Sequence, residues 1–198
     1  MFLNQTINAV IQVILFSVIP LVWWLCTARK KESFWNWIGL KKILPADKKF
    51  WISFLLVTAV SFALGMLALL LRGEMESADS AYKGMGATAI PSILMYSFGQ
   101  TAFSEEILFR GFLMKRLQDR WGFGVAAAVQ AVLFGGVHIL MVWGQVGPVS
   151  GAVIVLYPMV VAVALSWLNE KMANGSILPG WIAHGVLNSL SGILQAMI

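Results

Sequence analysis

The sequence predicts an all-α fold, a polytopic integral membrane bundle of about six transmembrane helices. Three observations predict it. Of the 198 residues, 59% are hydrophobic and only 12% are charged, where a soluble domain carries about 45–50% apolar and about 25% charged residues. Six separate apolar stretches each approach the ~20 residues that a helix needs to cross ~30 Å of hydrocarbon. The cations are also clustered, seven of the fourteen Lys and Arg residues lying between Arg29 and Lys49. Helices are the default for such stretches, because a spanning segment must satisfy its own backbone hydrogen bonds. The length suits one domain, residues 1–198, with the polar motifs confined to about 88–198.

The first stretch, Asn4–Cys26, has no Lys or Arg before it or as far as Pro20, so it lacks the basic start of a secretory signal and reads as a retained anchor. It ends at Cys26, the single cysteine, which precludes an intrachain disulfide and is expected to pack in the core or an interface. The loop Arg29–Lys49 then sets its seven cations against Glu32 and Asp47, which places it in the cytoplasm by the positive-inside rule. Phe34, Trp35, Trp37, Ile38 and Leu40 are interleaved with these charges. That pattern suits a short amphipathic segment on the membrane surface, with a solvated linker as the plain alternative. The basic cluster is thus a topology signal, and nucleic acid is not an expected partner.

The second stretch, Phe50–Leu71, leads into Arg72–Ala87, whose Glu74, Glu76 and Asp79 oppose Arg72 and Lys83. This loop is expected outside, and its Gly and Ser content predicts flexibility. The third, Thr88–Met114, is too long for a simple span, so it must tilt or emerge into the cytoplasmic interface, where Lys115, Arg116 and Arg120 follow. The fourth, Phe123–Trp143, reaches an uncharged outer loop at Gly144–Pro148. The fifth, Val149–Leu168, returns to a short inner loop at Glu170–Ser176, and the sixth, Ile177–Met197, ends outside. Both termini are therefore expected outside.

Once the loops are set aside, few ionisable residues remain: Glu105, Glu106, Arg110, His138 and His184. Charges within a membrane segment are expensive and mark functional sites by default. Glu106 and Arg110 stand four apart, so they share a helix face and can pair. Glu105 lies ~100° around the helix from Glu106 and is left free to point elsewhere. Phe134 and His138 share a face in the same way, and Gly135 and Gly136 remove bulk beside them, permitting close approach of another helix or a substrate backbone. His184 and Asn188 repeat the spacing, with Gly185 providing room. Each pair also has a structural reading, as a bracing ion pair or an interhelical hydrogen bond. If the three faces converge, a water among Glu105, His138 and His184 can lose a proton to Glu105. The histidines would then orient that water or stabilise charge, and the Asn188 amide would donate to an oxyanion. This is a peptidase site with neither serine nor cysteine nucleophile.

The ordered trio resembles the motifs of the CAAX protease and bacteriocin-processing family, also called the Abi family, of intramembrane peptidases that includes the type II prenyl-protein endopeptidases. Two Glu followed by three residues and Arg match Glu105, Glu106 and Arg110. Phe with His four on matches Phe134 and His138, and His with Asn four on matches His184 and Asn188. The resemblance spans Ser104 to Ser189. It implies that Glu105 activates the water, that His138 and His184 help to coordinate it, that Asn188 serves the oxyanion, and that Glu106 and Arg110 brace the site with Phe134 in support. It favours a metal-free glutamate mechanism without cofactor. Zinc held by Glu105, His138 and His184 is the alternative, although no His-Glu-x-x-His helix is present. The implied partners are the lipid bilayer and a peptide or small membrane-protein substrate, such as a bacteriocin leader or a peptide pheromone. The implied location is the plasma membrane of a bacterium.

Other functions stay open at this stage. A non-catalytic bacteriocin-immunity or peptide-binding protein could use the same fold. A proton-coupled transporter could use the same ionisable groups, although no paired half-repeat supports it. A serine mechanism through Ser104, Ser189 or Ser191 lacks a Gly-x-Ser-x-Gly elbow. Depth supplies a check. Glu105 lies ~16 Å along the helix from Arg116, and His184 ~12 Å from Ser176, which agree on the cytoplasmic half. His138 would lie ~25 Å from Trp121, too deep unless residues Trp121–Val125 lie in the interface or the helix is tilted or broken.

Overall fold

The computed structural model describes residues 1–71 and 78–198. The expected outer, flexible loop Arg72–Ala87 falls, for residues 72–77, outside the described residues. Among those that are described, the secondary structure is helical throughout. Helix α1 (Phe2–Thr27) is followed by a single turn, α2 (Phe34–Trp37), and by α3 (Lys48–Leu71). Two short 3-10 turns then lead to α4 (Ile90–Leu94), which runs directly into two π-helical segments, Met95–Phe103 and Glu106–Met114. From there α5 (Lys115–Met141) continues the helical path, and α6 (Pro148–Trp167) runs into a third π segment, Leu168–Met172. The chain ends with α7 (Leu178–Met197).

The Met95–Phe103 segment is the centre of the bundle: α1 packs along one side and α7 along another, while α5 packs on both the Glu106–Met114 segment and α6. The outer helices show why the solvent must be lipid. In α1 only Ala9 and Pro20 are buried, and in α3 only Phe50 and Ser61, while Leu3, Ile14, Leu15, Leu55, Leu56 and Leu70 face outwards. Water would not tolerate so continuous an apolar surface on a monomer. Among the described residues, four helical tracts are long and apolar enough to cross a membrane: Phe2–Thr27, Lys48–Leu71, Gly86–Met141 and Pro148–Met172. The third holds the stretches read from sequence as two spans. It covers 56 residues, or ~84 Å of helix, far beyond one hydrocarbon core. It turns at Gly122, where φ 76° and ψ 169° depart from helix. Of the three ways to bring His138 to the right depth, residues Trp121–Val125 in the interface, a tilt or a broken helix, a break is present at Gly122. α7 is not among the four, because His184 and Asn188 dilute its apolar character.

Segments assigned to the cytoplasm by charge meet at one end. Ser176 Oγ donates to the Lys41 carbonyl at 2.6 Å, and the Ile177 N–H donates to the Gly39 carbonyl at 2.9 Å. Lys115 Nζ reaches Glu170 Oε1 at 2.6 Å and the Gly175 carbonyl at 2.7 Å. Two expectations need correction here. The aromatic segment does not simply lie on the surface: Trp35 is exposed, but Trp37 and Ile38 are buried against Ile107, Phe112 and Ile177. The apolar side chains are drawn into the gap under the π segment, and the cations stay outside. Cys26 is exposed, which overturns the core placement and is compatible with the interface one, because the last turns of α1 have their outward face towards the surroundings.

Candidate active site

The two adjacent glutamates sit where the π segments meet, Glu105 between them and Glu106 opening the second. A π turn closes i→i+5 hydrogen bonds, and such turns are frequent at functional sites. Here the two carboxylates have different surroundings. Glu106 is fully buried, whereas the Glu105 side chain keeps 17% of its exposure.

Glu106 is held from three sides. Its Oε1 lies 3.2 Å from Arg110 Nη1 and 3.4 Å from His184 Nδ1. Its Oε2 accepts from Asn169 Nδ2 at 3.3 Å. Asn169 is in turn oriented by the Gly180 N–H, which donates to its Oδ1 at 2.8 Å. Glycine is required at 180 for space: an added Cβ would stand 2.6 Å from both Glu106 Oε2 and Asn169 Nδ2. The first turn of α7 can therefore reach the buried carboxylate only through a bare backbone.

Arg110 is equally buried, and its guanidinium lies over the Phe134 ring at 4.3 Å, an attraction strengthened by removal from water. Phe134 is the central plate of the site. Besides Arg110 it meets Phe109, His138 and His184 edge-on, at centroid distances of 4.9, 4.7 and 6.3 Å. The space beside it comes from Gly135, where a Cβ would meet Met159 and the Val155 carbonyl of α6. Gly136 faces open space, and Gly185 abuts Phe98.

The two imidazoles are fixed differently. His184 stands between the carboxylates, Nδ1 towards Glu106 and Nε2 3.6 Å from Glu105 Oε2. That last separation is beyond a direct hydrogen bond, and a water touching both groups would sit beside the pair, in the cavity. His138 Nδ1 lies 2.8 Å from the Phe134 carbonyl. A carbonyl only accepts, so Nδ1 donates, and the neutral ring keeps its lone pair on Nε2. Asn188 Nδ2 donates to Thr101 Oγ1 at 2.9 Å; the Thr101 hydroxyl is itself turned towards the Tyr96 and Ser97 carbonyls, at 3.1 Å each.

Two cavities meet at this cluster. The larger, about 480 Å³, lies among α3, α6, α7 and the end of α5, and is lined by Glu105, His138, His184 and Asn188. The second, about 430 Å³, lies between α1 and α5 and is lined by Glu105, Phe134 and His138. Neither His138 nor Asn188 bonds directly to Glu105 among the described residues, yet both share a cavity wall with it.

All seven residues singled out by sequence thus converge. Several others were missed. Asn169 fell at the end of the fifth stretch and read as loop. Gln12, Gln100 and Thr101 lie inside spans, and as uncharged polar residues they carried a weaker signal than the ionisable groups. Ser104, a candidate nucleophile, is used otherwise: it accepts from Gln12 Nε2 at 3.1 Å and its hydroxyl faces the Gln100 and Thr101 carbonyls. Among the described residues no three His, Cys, Asp or Glu side chains are grouped to hold a metal ion; His184 lies between two carboxylates, and His138 Nδ1 faces the Phe134 carbonyl.

Residues 86–190, more than half of the chain, match the model of the type II CAAX prenyl endopeptidase Rce1-like family. No curated protein and no solved structure gives a match. The matched region contains every residue of the cluster and carries it on apolar helices, and the chain belongs to the type II CAAX prenyl endopeptidase Rce1-like family of membrane-embedded proteases.

Proposed function

We propose that the protein is an intramembrane endopeptidase that hydrolyses a peptide bond by a water activated at Glu105. The observation that carries this reading is the unequal use of the two adjacent carboxylates. Glu106 is fully buried, bonded by Asn169 and within ion-pair distance of Arg110 and His184, while Glu105 faces the cavities with His184 Nε2 at 3.6 Å.

A water bridging Glu105 and His184 gives its proton to the Glu105 carboxylate, and its oxygen attacks the peptide carbonyl. The carbonyl π bond opens and its electron pair becomes an oxyanion. Asn188 retains one N–H beyond the bond to Thr101, and His138 flanks the same cavity, so both are positioned to stabilise that charge or its water. Collapse restores the carbonyl and breaks the C–N bond, and the departing nitrogen takes the proton back from Glu105. Glu106 Oε1 lies 3.4 Å from His184 Nδ1, facing the ring as a buried carboxylate commonly does beside a working histidine. No step needs a metal ion.

The substrate class is a peptide or small membrane protein presented within the bilayer, with prenylated CAAX termini as the first class to try. The test incubates full-length wild-type and Glu105→Gln protein, in detergent or nanodiscs, with an internally quenched farnesylated CAAX peptide and with unprenylated leader peptides, each with and without chelator. Cleavage by the wild type should fall by about 10²–10⁴-fold in the variant and be indifferent to chelator. Equal cleavage by both proteins removes Glu105 from the mechanism, and loss of activity with chelator transfers it to a metal.

A further inference from the structure

The smaller cavity separates α1 from α5, two helices that do not pack closely on each other. Its α1 wall is formed by Asn8, Ile11, Gln12, Leu15 and Phe16, and its floor by Glu105 and His138. The larger cavity opens from the same two floor residues in the other direction, with Phe62, Met66, Leu69, Val153, Ile154 and Leu194 among its walls. Glu105 and His138 are therefore shared by the two arms of one cleft, the larger walled on one side by apolar side chains of α3 and α6, the smaller by α1, and both edged by Gln12 and Gln100.

These amides form an organised row. Gln5 Nε2 donates to Gln100 Oε1. Gln100 Nε2 donates to Gln12 Oε1 at 3.0 Å, and Gln12 Nε2 donates to Ser104 Oγ at 3.1 Å. Gln12 and Gln100 both line both cavities. A carboxamide has two N–H donors and two acceptor lone pairs. In this row Gln12 and Gln100 each use one donor and one acceptor, so each retains one of both kinds. A peptide unit offers that same complement of one donor and one acceptor. Amides at a lipid-facing cleft are expensive unless they meet such a partner.

We infer that the α1–α5 crevice is a substrate subsite, in which Gln12 and Gln100 hydrogen-bond the main chain of the peptide beyond the scissile bond, while the apolar α3 and α6 wall of the larger arm takes the lipidated or apolar residue before it. This rests on the peptidase reading above. The scissile bond then lies over Glu105, at the join of the arms. Ile11 and Leu15 are exposed wall residues of α1 that stand outside the catalytic cluster.

The test uses full-length protein in nanodiscs and the internally quenched farnesylated CAAX peptide. Ile11→Trp and Leu15→Trp fill the crevice and should raise KM at least tenfold with kcat within threefold. Gln12→Leu should do the same, and a probe whose last two peptide bonds are N-methylated should lose the difference between Gln12→Leu and wild type. A second readout needs no turnover: Glu105→Gln protein with photoreactive p-benzoylphenylalanine in place of Ile11 should crosslink to the three C-terminal residues of the probe. If the wild type cleaves but both tryptophan variants keep their KM, and crosslinks from position 11 reach only lipid or the farnesyl group, the crevice is not the subsite. Equal turnover by wild type and Glu105→Gln would instead sink the peptidase reading itself, and the crosslinking result would then decide whether the crevice binds peptide at all.

Discussion

A buried carboxylate, a buried guanidinium and an imidazole share a few ångströms here, and each residue's consequence follows from what the others leave unpaired. Removing Arg110 leaves Glu106 fully buried with only Asn169 and His184 as partners. Loss of one partner of a buried pair is typically worth about 3–5 kcal/mol. Arg110→Ala should therefore unfold at clearly lower temperature in detergent, and an unchanged midpoint would show that the pair does not brace the bundle. Asn188 is different, because it lines the cavity and its loss frees only Thr101. Asn188→Ala should keep its midpoint but lose about 10²–10³-fold in kcat with little change in KM. A rise in KM alone, with kcat intact, would make it a substrate contact and not an oxyanion donor. At this scale the sequence was informative wherever a residue was chemically unusual for its surroundings. Glu, Arg and His in an apolar helix announce themselves, whereas Asn169, in a polar turn, and Gln12, on a helix without a motif, are ordinary where they stand.

Among the elements, the path from α4 through α5 decides the geometry. Its π turns direct adjacent glutamates to different partners, and its break at Gly122 returns the chain so that His138 comes level with Glu105. Gly122 adopts φ 76° and ψ 169°, and an added Cβ there would meet nothing within 4 Å. The demand is thus on the backbone alone, in a region open essentially only to glycine, at about 1–3 kcal/mol. Gly122→Ala should lower stability by that amount. Gly124→Ala, also free of neighbours but helical, should be neutral or stabilising by up to about 1 kcal/mol. Thermal melts of the two variants side by side check this; equal melting would mean that the break is set by packing and not by the glycine. A break was one of the alternatives the sequence left, beside a tilt or an interfacial Trp121–Val125, since a straight helix from Trp121 carried His138 too deep. The π turns were not legible, because an i→i+5 pattern differs from α by one residue in register and hydropathy cannot resolve it.

At the scale of the whole molecule, three segments far apart in sequence meet at the basic end: the loop around Gly39 and Lys41, the start of α5, and the turn from Glu170 to Ser176. The positive-inside rule places this end in the cytoplasm. The protein has one cysteine, exposed Cys26, which makes orientation measurable. In a Cys26→Ser background, Lys42→Cys should react with an impermeant maleimide only after the cells are opened. Labelling of intact cells would invert the topology and bring the two-armed cleft in from the opposite face.

Membrane residence, helical class and the membership of the polar cluster were determined by the sequence itself, because hydropathy and charge are local properties and a charged residue in an apolar span is conspicuous without any neighbour in view. The four-residue spacing likewise paired Glu106 with Arg110 and left Glu105 free; only the tertiary structure decided that Glu105 faces the cavity, that Asn169 and Gly180 complete the support of Glu106, and that Ile38 dips into the core. Those outcomes depend on what stands a few ångströms away across helices separated by tens of residues. Partner distances of that kind arise only when the segments pack, and no single stretch of chain contains them.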